Sequence, residues 1–283
     1  MAVRSILIVG GGTAGWLTAA YLARYFTLPG RSPVTITLLE STEIGIIGVG
    51  EGAFPTMRTT LDFLGIDEAR FLRATAGTFK QGIRFVDWLD APEAGRHAHF
   101  FHPFEAPAEA AGVVQHWLRQ DPAARPPFAE AVSFQSHVAE AQRAPKRGHE
   151  GDFAGPLNYA YHFDAAGLAT LLAQRATELG VRHLRGTLLD AERDDGGAIQ
   201  HLRTAEHGIV VADLYVDCSG FRAALIGEAL GSPFHSARDT LFTDRAIACK
   251  LPAAHPDAPL ESVTIATAHA AGWLWDIGLA GGR

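Results

Sequence analysis

Ser5-Ile6-Leu7-Ile8-Val9-Gly10-Gly11-Gly12-Thr13-Ala14-Gly15-Trp16 opens the chain and decides its fold. Residues 5–9 are a short apolar, β-branched run, which predicts a buried parallel strand. Gly10, Gly12 and Gly15 satisfy the spacing G-x-G-x-x-G. Residues 16–26 carry Leu17, Ala20, Tyr21 and Tyr25 at helical spacing and predict a helix, which Pro29 and Gly30 end. Residues 34–39 predict a second strand, closed by Glu40. Strand, glycine turn, helix and strand form one βαβ unit. The glycines let the backbone turn tightly and approach a pyrophosphate, and the free N–H groups at the helix start receive its charge. Glu40 stands where an acid binds ribose hydroxyls. The bland alternative is a βαβ turn that holds no ligand. The expected nucleotide contacts are Gly10, Gly12, Thr13, Ala14, Gly15 and Glu40.

The remaining chain extends the same plan. Helices are predicted at 56–63, 71–76, 164–179 and 221–230, and strands at 181–189, 199–204, 212–216, 247–251 and 263–267, with a turn at 194–197. Residues 92–155 are rich in Ala, Pro, His and Gly and read as an insertion of loops and short helices. The strand before Asp217-Cys218-Ser219-Gly220 resembles the returning strand of FAD-dependent monooxygenases, which favours FAD over NAD and adds Asp217 to the expected contacts. The fold class is therefore α/β: a three-layer FAD/NAD(P)-binding, Rossmann-like domain with an interleaved substrate lobe. The expected segments are 1–90 (FAD-binding βαβ and lysine segment), 91–155 (inserted substrate region), 156–233 (returning FAD-binding part) and 234–283 (start of a substrate-lobe sheet).

Bulk properties narrow the function. The 283 residues are 47% hydrophobic and 19% charged, an ordinary globular composition. A net charge of -7 without a basic run argues against nucleic acid. Cys218 and Cys249 alone make no disulfide scaffold, so a reduced, cytoplasmic protein is expected. No signal peptide and no membrane span of ~18 apolar residues is apparent. His97, His99 and His102 form no recognised metal-ligand pattern, and no metal is expected.

Several segments taken together resemble the flavin-dependent (tryptophan) halogenases. They are Gly10 to Trp16; Ile47-Gly48-Val49-Gly50-Glu51-Gly52 with Pro55, with Gly52 where Ala is usual; Thr78-Phe79-Lys80-Gln81-Gly82-Ile83; and Tyr161-His162-Phe163-Asp164. Val216 to Arg222 and Gly272-Trp273-Leu274-Trp275-Asp276-Ile277 complete the set, in family order. The resemblance implies a two-component chemistry. A separate flavin reductase supplies reduced FAD, and oxygen with chloride or bromide as co-substrate gives hypohalous acid. A lysine then directs electrophilic halogenation of an electron-rich, tryptophan- or indole-like aromatic substrate. By this resemblance Lys80 is that lysine, and Gly50 and Glu51 join the cofactor contacts. Trp273 and Trp275 keep substrate from the flavin, and His102, Pro103 and Phe104 line the substrate region. On the residues alone, Lys80 also fits a lysine with its stem on apolar surface and its head in water, and the tryptophan pair fits core packing.

Position 278 is Gly where the family signature has Pro, and the chain stops at Arg283 while family members run further. The expectation is a chain cut off before the family's C-terminal half, with exposed apolar sheet surface that invites pairing; a homodimer is the assembly considered. Two other readings stay open: an FAD-dependent aromatic hydroxylase, and a non-catalytic flavin-binding fragment.

Overall fold

A computed structural model of the chain describes residues 2–45, 48–105, 112–255 and 258–282. Ile47 of the second glycine loop and the terminal Arg283 lie outside the described residues. The elements begin with β1 (Ser5–Val9), α1 (Thr13–Phe26), β2 (Thr35–Glu40), β3 (Gly50–Gly52), α2 (Thr56–Leu64), α3 (Glu68–Ala74), β4 (Thr78–Lys80) and β5 (Gly82–Val86). There follow β6 (His99–Pro103), α4 (Val113–Arg119), α5 (Phe128–Val132), α6 (Gln135–Glu140), β7 (Ala160–Asp164) and α7 (Ala165–Glu178). The last are β8 (Arg182–Arg185), β9 (Leu188–Arg193), β10 (Ile199–Thr204), β11 (Gly208–Val210), β12 (Leu214–Asp217), β13 (Thr264–His269) and β14 (Gly272–Asp276). They fall into two compact units, each built from separated stretches of chain.

The first unit comprises Met1–Val49, Phe63–Ile66 and Ala165–Phe242. Its centre is a parallel sheet in the order β12-β1-β2-β8, with Ile6 opposite both Leu214 and Ile36. Alternate residues of a strand face opposite sides, so β1 must satisfy two packing surfaces. On one side Leu7, Val9 and Leu39 cluster with Leu188, Leu202, Ala224 and Leu225, and the antiparallel meander β11-β10-β9 closes this face. α1 packs on β1 and β2 and lies along α7. The alanines that α1 buries (Ala19, Ala20 and Ala23) let α7 approach closely. Helices, parallel sheet and meander are the three layers, and the α/β class read from the sequence is the observed one.

The second unit comprises Gly50–Asp62, Asp67–Asp164 and Thr243–Arg283. It holds a mixed sheet, β14-β13-β5-β6, and an antiparallel sheet, β3-β7-β4. Tyr159, Tyr161, Phe163 and Phe71 are buried, and rings of this group meet at 4.9–6.0 Å.

Three local expectations are corrected. The strand expected at 181–189 is two strands, because the chain turns at Gly186, whose N–H bonds the Glu40 carbonyl. The helix expected at 221–230 is a 3-10 turn (Gly220–Arg222) followed by a π-helical turn (Ala224–Ala229). Asp217 and Ser219 capture the N–H groups of Ala224, Leu225 and Ile226, and Ala223 is forced to φ 47°. The strand expected at 247–251 does not form: Ile247 is 93% exposed and has no neighbour to pair with among the described residues. A short apolar run alone cannot specify a strand.

Candidate active site

The glycine turn is built for an anion. Gly12 caps α1 without a side-chain hydrogen bond, and no acid occupies the first helical turn. The free N–H groups there are thus left to an outside acceptor. Gly10 sits at φ +118°, and a Cβ on it would lie 2.1 Å from the Cys218 carbonyl oxygen. A Cβ on Gly15 would lie 1.9 Å from the Gly10 carbonyl oxygen. These two glycines are demanded by the chain's own close approach. Gly12 is different: among the described residues a Cβ there would meet nothing within 4 Å. Its bareness serves no contact among those residues, which is what a cradle for a pyrophosphate requires. The residues present therefore fit a dinucleotide such as FAD. Thr13 and Ala14 start α1 beside this cradle.

Glu40 ends β2 against Gly11, where a Cβ would lie 2.3 Å from the carboxylate. Its Oε2 is 2.7 Å from His183 Nε2, and the Trp16 ring meets that imidazole edge-on at 4.8 Å. A cavity of about 620 Å³ opens here, lined by Trp16, Glu40, Gln174, His183 and Arg185 among others. Asp217 is occupied internally. One oxygen accepts from Ser219 N and Oγ, the other from Leu225 N and Ile226 N. Burial raises its pKa, but these hydrogen bonds outweigh burial and hold it below the usual value. Its service to the glycine turn is to shape the loop that abuts Gly10.

The second constellation surrounds Lys80. β4 pairs antiparallel with β7, Lys80 opposite Ala160 and Thr78 opposite His162. Lys80 is 2% exposed, and burial brings its ammonium down to about 8. Its Nζ lies 5.4 Å from the Phe54 ring centre and 5.5 Å from that of Phe104. No described carboxylate pairs with it. A Cβ on Gly52 would lie 2.8 Å from Nζ, so the bare glycine gives the amine its room. A lysine in this setting is a proton donor or a nucleophile close to balance near neutral pH.

A family model for tryptophan halogenases matches residues 5–283. The chain belongs to the tryptophan halogenase family. It is 37% identical to tryptophan 6-halogenase SttH of Streptomyces toxytricini over 301 residues, covering 98% of this chain and 55% of that protein. It is also 37% identical to tryptophan 7-halogenase RebH of Lentzea aerocolonigenes, covering 99% of this chain and 54% of the other. The solved tryptophan halogenase of Shewanella frigidimarina superposes with a TM-score of 0.93 at 38% identity, covering 99% of this chain and 54% of that one. The chain thus spans about half the length of the curated relatives it matches.

Within this chain, the expected site residues divide between the units. Gly10, Gly12, Thr13, Ala14, Gly15, Glu40 and Asp217 lie in the first; Gly50, Glu51, Lys80, His102, Pro103, Phe104, Trp273 and Trp275 lie in the second. Burial raises the pKa of Glu51, which sits on β3 opposite Phe163. His102 and Pro103 are on β6, opposite Ile83 and Gly82, and Phe104 follows them to the Lys80 amine. Trp273 and Trp275 share a face of β14, about half exposed, and the Trp273 ring meets Trp88 at 5.9 Å. Sequence reading missed Phe54, His162, Thr264 and the buried acid Glu68. Glu68 accepts from Tyr159 and Tyr161 hydroxyls at 2.6 Å each and from Lys146 Nζ at 2.5 Å. The signal available was Tyr159 and Tyr161 two apart in extended chain at the start of β7, which puts both hydroxyls on one side. Among the described residues no helix is long and apolar enough to cross a membrane.

Proposed function

We propose that the chain carries the flavin-binding and lysine-bearing parts of a halogenase that uses reduced FAD, oxygen and chloride or bromide to halogenate an electron-rich aromatic ring of the tryptophan or indole type. The observation that carries the reading is Lys80: a buried lysine, brought to about 8, flanked by two aromatic rings and opposed by no described carboxylate. When bound, reduced flavin would supply two electrons to oxygen, so that oxygen can oxidise halide to hypohalous acid with water as the other product.

The chain's own residues do the rest. N–H groups of the Gly10–Gly15 turn and of the first turn of α1 hold the pyrophosphate, and Glu40 takes the ribose hydroxyls. Gly50 and Glu51 complete the cofactor contacts, with Asp217 acting through the loop it shapes. Lys80 holds hypohalous acid at Nζ, donating a hydrogen bond to its oxygen or, as the free amine, taking the halogen as the O–halogen bond breaks, the amine proton and the hydroxide leaving as water. Phe104, His102 and Pro103 line the approach of the aromatic substrate, and Trp273 and Trp275 keep it from the flavin. The division into segments 1–90, 91–155, 156–233 and 234–283 is our functional reading beside the two compact units. A flavin reductase is the partner we propose, and the cytoplasm the compartment.

A fluorescence titration with FAD tests the first step. Gly12→Ala should cost at most about 1 kcal/mol in stability, since a Gly-to-Ala change at an N-cap is a small loss. It should nevertheless weaken FAD binding well over tenfold, because the methyl occupies space that the protein leaves open. Gly15→Ala should lose both binding and thermal stability, with its methyl set 1.9 Å from a carbonyl oxygen. Unchanged binding in Gly12→Ala would dismiss the turn as the cofactor cradle. The second step is a halogenation assay with a reductase, bromide and a panel of indoles. Halide-dependent product supports the reading. Hydroxylated product would make the chain a hydroxylase, and flavin binding without product would leave it a binding role.

A further inference from the structure

Strand β7 places a fully buried imidazole, His162, beside the Lys80 amine. His162 stands opposite Thr78 of β4 on one side and Gly52 of β3 on the other. Its Nδ1 is 3.3 Å from Thr78 Oγ1, and its Nε2 is 2.9 Å from Thr264 Oγ1 on β13. Thr78 Oγ1 also reaches the Gly278 carbonyl oxygen at 2.6 Å. The proton assignments follow from these contacts. A carbonyl only accepts, and a hydroxyl has one proton to give. Thr78 therefore donates to Gly278 and must accept from His162, so the ring proton is on Nδ1. Burial and the neighbouring Lys80 ammonium keep the imidazole neutral, with its pKa down to about 3. Nε2 is then bare and takes the Thr264 proton.

Thr264 Oγ1 has thereby given up its only proton and keeps lone pairs alone. Lys80 Nζ, Thr264 Oγ1 and His162 Cδ2 surround one point, where a Gly52 Cβ would sit, at 2.8, 3.2 and 3.4 Å. We propose that His162 is a positioning residue for the Lys80 pocket: by taking the Thr264 proton it leaves an acceptor-only oxygen facing the space over Gly52 that the lysine amine also borders. The oxygen favours the protonated amine and opposes the desolvation that drives its proton off. The proposal rests on the reading of Lys80 as the residue that handles the halogen electrophile.

The test is heteronuclear NMR of the intact chain, labelled in histidine and lysine. There are three lysines, Lys80, Lys146 and Lys250, so their titrations separate readily. His162 should show a protonated Nδ1 and a bare Nε2 across the neutral range. Thr264→Val should lower the Lys80 midpoint by roughly one pH unit, and Thr264→Ser should restore it. A protonated Nε2, or a midpoint unmoved in a folded Thr264→Val, overturns the proposal. Should Thr264→Val not fold, the tautomer in the unaltered chain still decides. Halogenation by the same preparations separates the two levels. An inactive Lys80→Met with an unmoved midpoint in Thr264→Val removes the proposal alone. An active Lys80→Met removes the reading of Lys80, and the proposal with it.

Discussion

Lys80→Met is expected to abolish halogenation, by about 10³-fold or more, while making the fold more stable. In the proposed function the loss follows from removing the group that carries a proton or the halogen at the reacting position, an effect of about 10²–10⁴ for general acid–base groups alone. Flavin binding should be retained, because Lys80 is not among the proposed cofactor contacts. The gain in stability follows from burial. Lys80 titrates at about 8 instead of 10.5, so at pH 7 the folded chain carries a charge whose desolvation costs up to about 3 kcal/mol. The sign of the pH dependence is fixed by this. Below 8 both folded and unfolded chains hold the proton, and the folded state bears the full penalty. Between 8 and 10.5 the unfolded chain binds more protons, so wild-type stability rises with pH. The advantage of Lys80→Met should thus be largest at neutral pH and shrink towards 10.5. Thermal melts of both chains across this range, with a product assay at pH 7, check the prediction. A destabilised Lys80→Met would mean that the stem of the side chain, and not its charge, dominates the site.

Glu68→Ala should be the most damaging single change away from the cofactor. The carboxylate is 4% exposed and receives two tyrosine hydroxyls and the Lys146 ammonium. Its loss strands the buried Tyr159 and Tyr161 hydroxyls and leaves the Lys146 ammonium with the Gly151 carbonyl alone among the described residues, and breaking a buried pair in this way costs about 3–5 kcal/mol, or roughly 10 °C in melting temperature. Burial alone would raise the Glu68 pKa, but the bonds from Lys146, Tyr159 and Tyr161 together lower it from 4.5. Its contribution is therefore complete above 4.5 and fades as pH falls through the lowered value. Acid unfolding should start at higher pH in Glu68→Gln than in the unaltered chain. Tyr161 neighbours His162 on β7, so the same change should blur the Lys80 environment before the chain unfolds. Equal melting temperatures of Glu68→Ala and wild type would refute the account.

What the sequence made legible is local. Residues 5–40 carry their own instructions: a β-branched run, glycines at fixed spacing, helical periodicity and an acid at the strand end. Each is decided within a few residues, and the structure follows them closely. Lys80 was identified by resemblance, yet its burial was not, because burial is conferred by Phe54, Phe104 and β7, far away in the chain. His162 lay hidden for the same reason: its partners Thr78 and Thr264 are polar residues of no particular spacing. The stretch after Gly220 misled because helical periodicity says nothing of caps. Asp217 and Ser219 capture the N–H groups that a regular helix would have aligned, and the turn widens to a π form.

The pairing of β1 with β12 has a consequence for how the chain comes into being. Ile6 leaves the ribosome early, but its partner Leu214 emerges only after most of the chain has been made. Until then one edge of the first strand, apolar on both faces, has no partner to saturate it. Contacts this far apart in sequence slow folding and expose nascent chains to wrong associations. The chain should therefore gain soluble yield from slower translation, lower growth temperature or added chaperone, and gain most during synthesis of the stretch that separates those two strands.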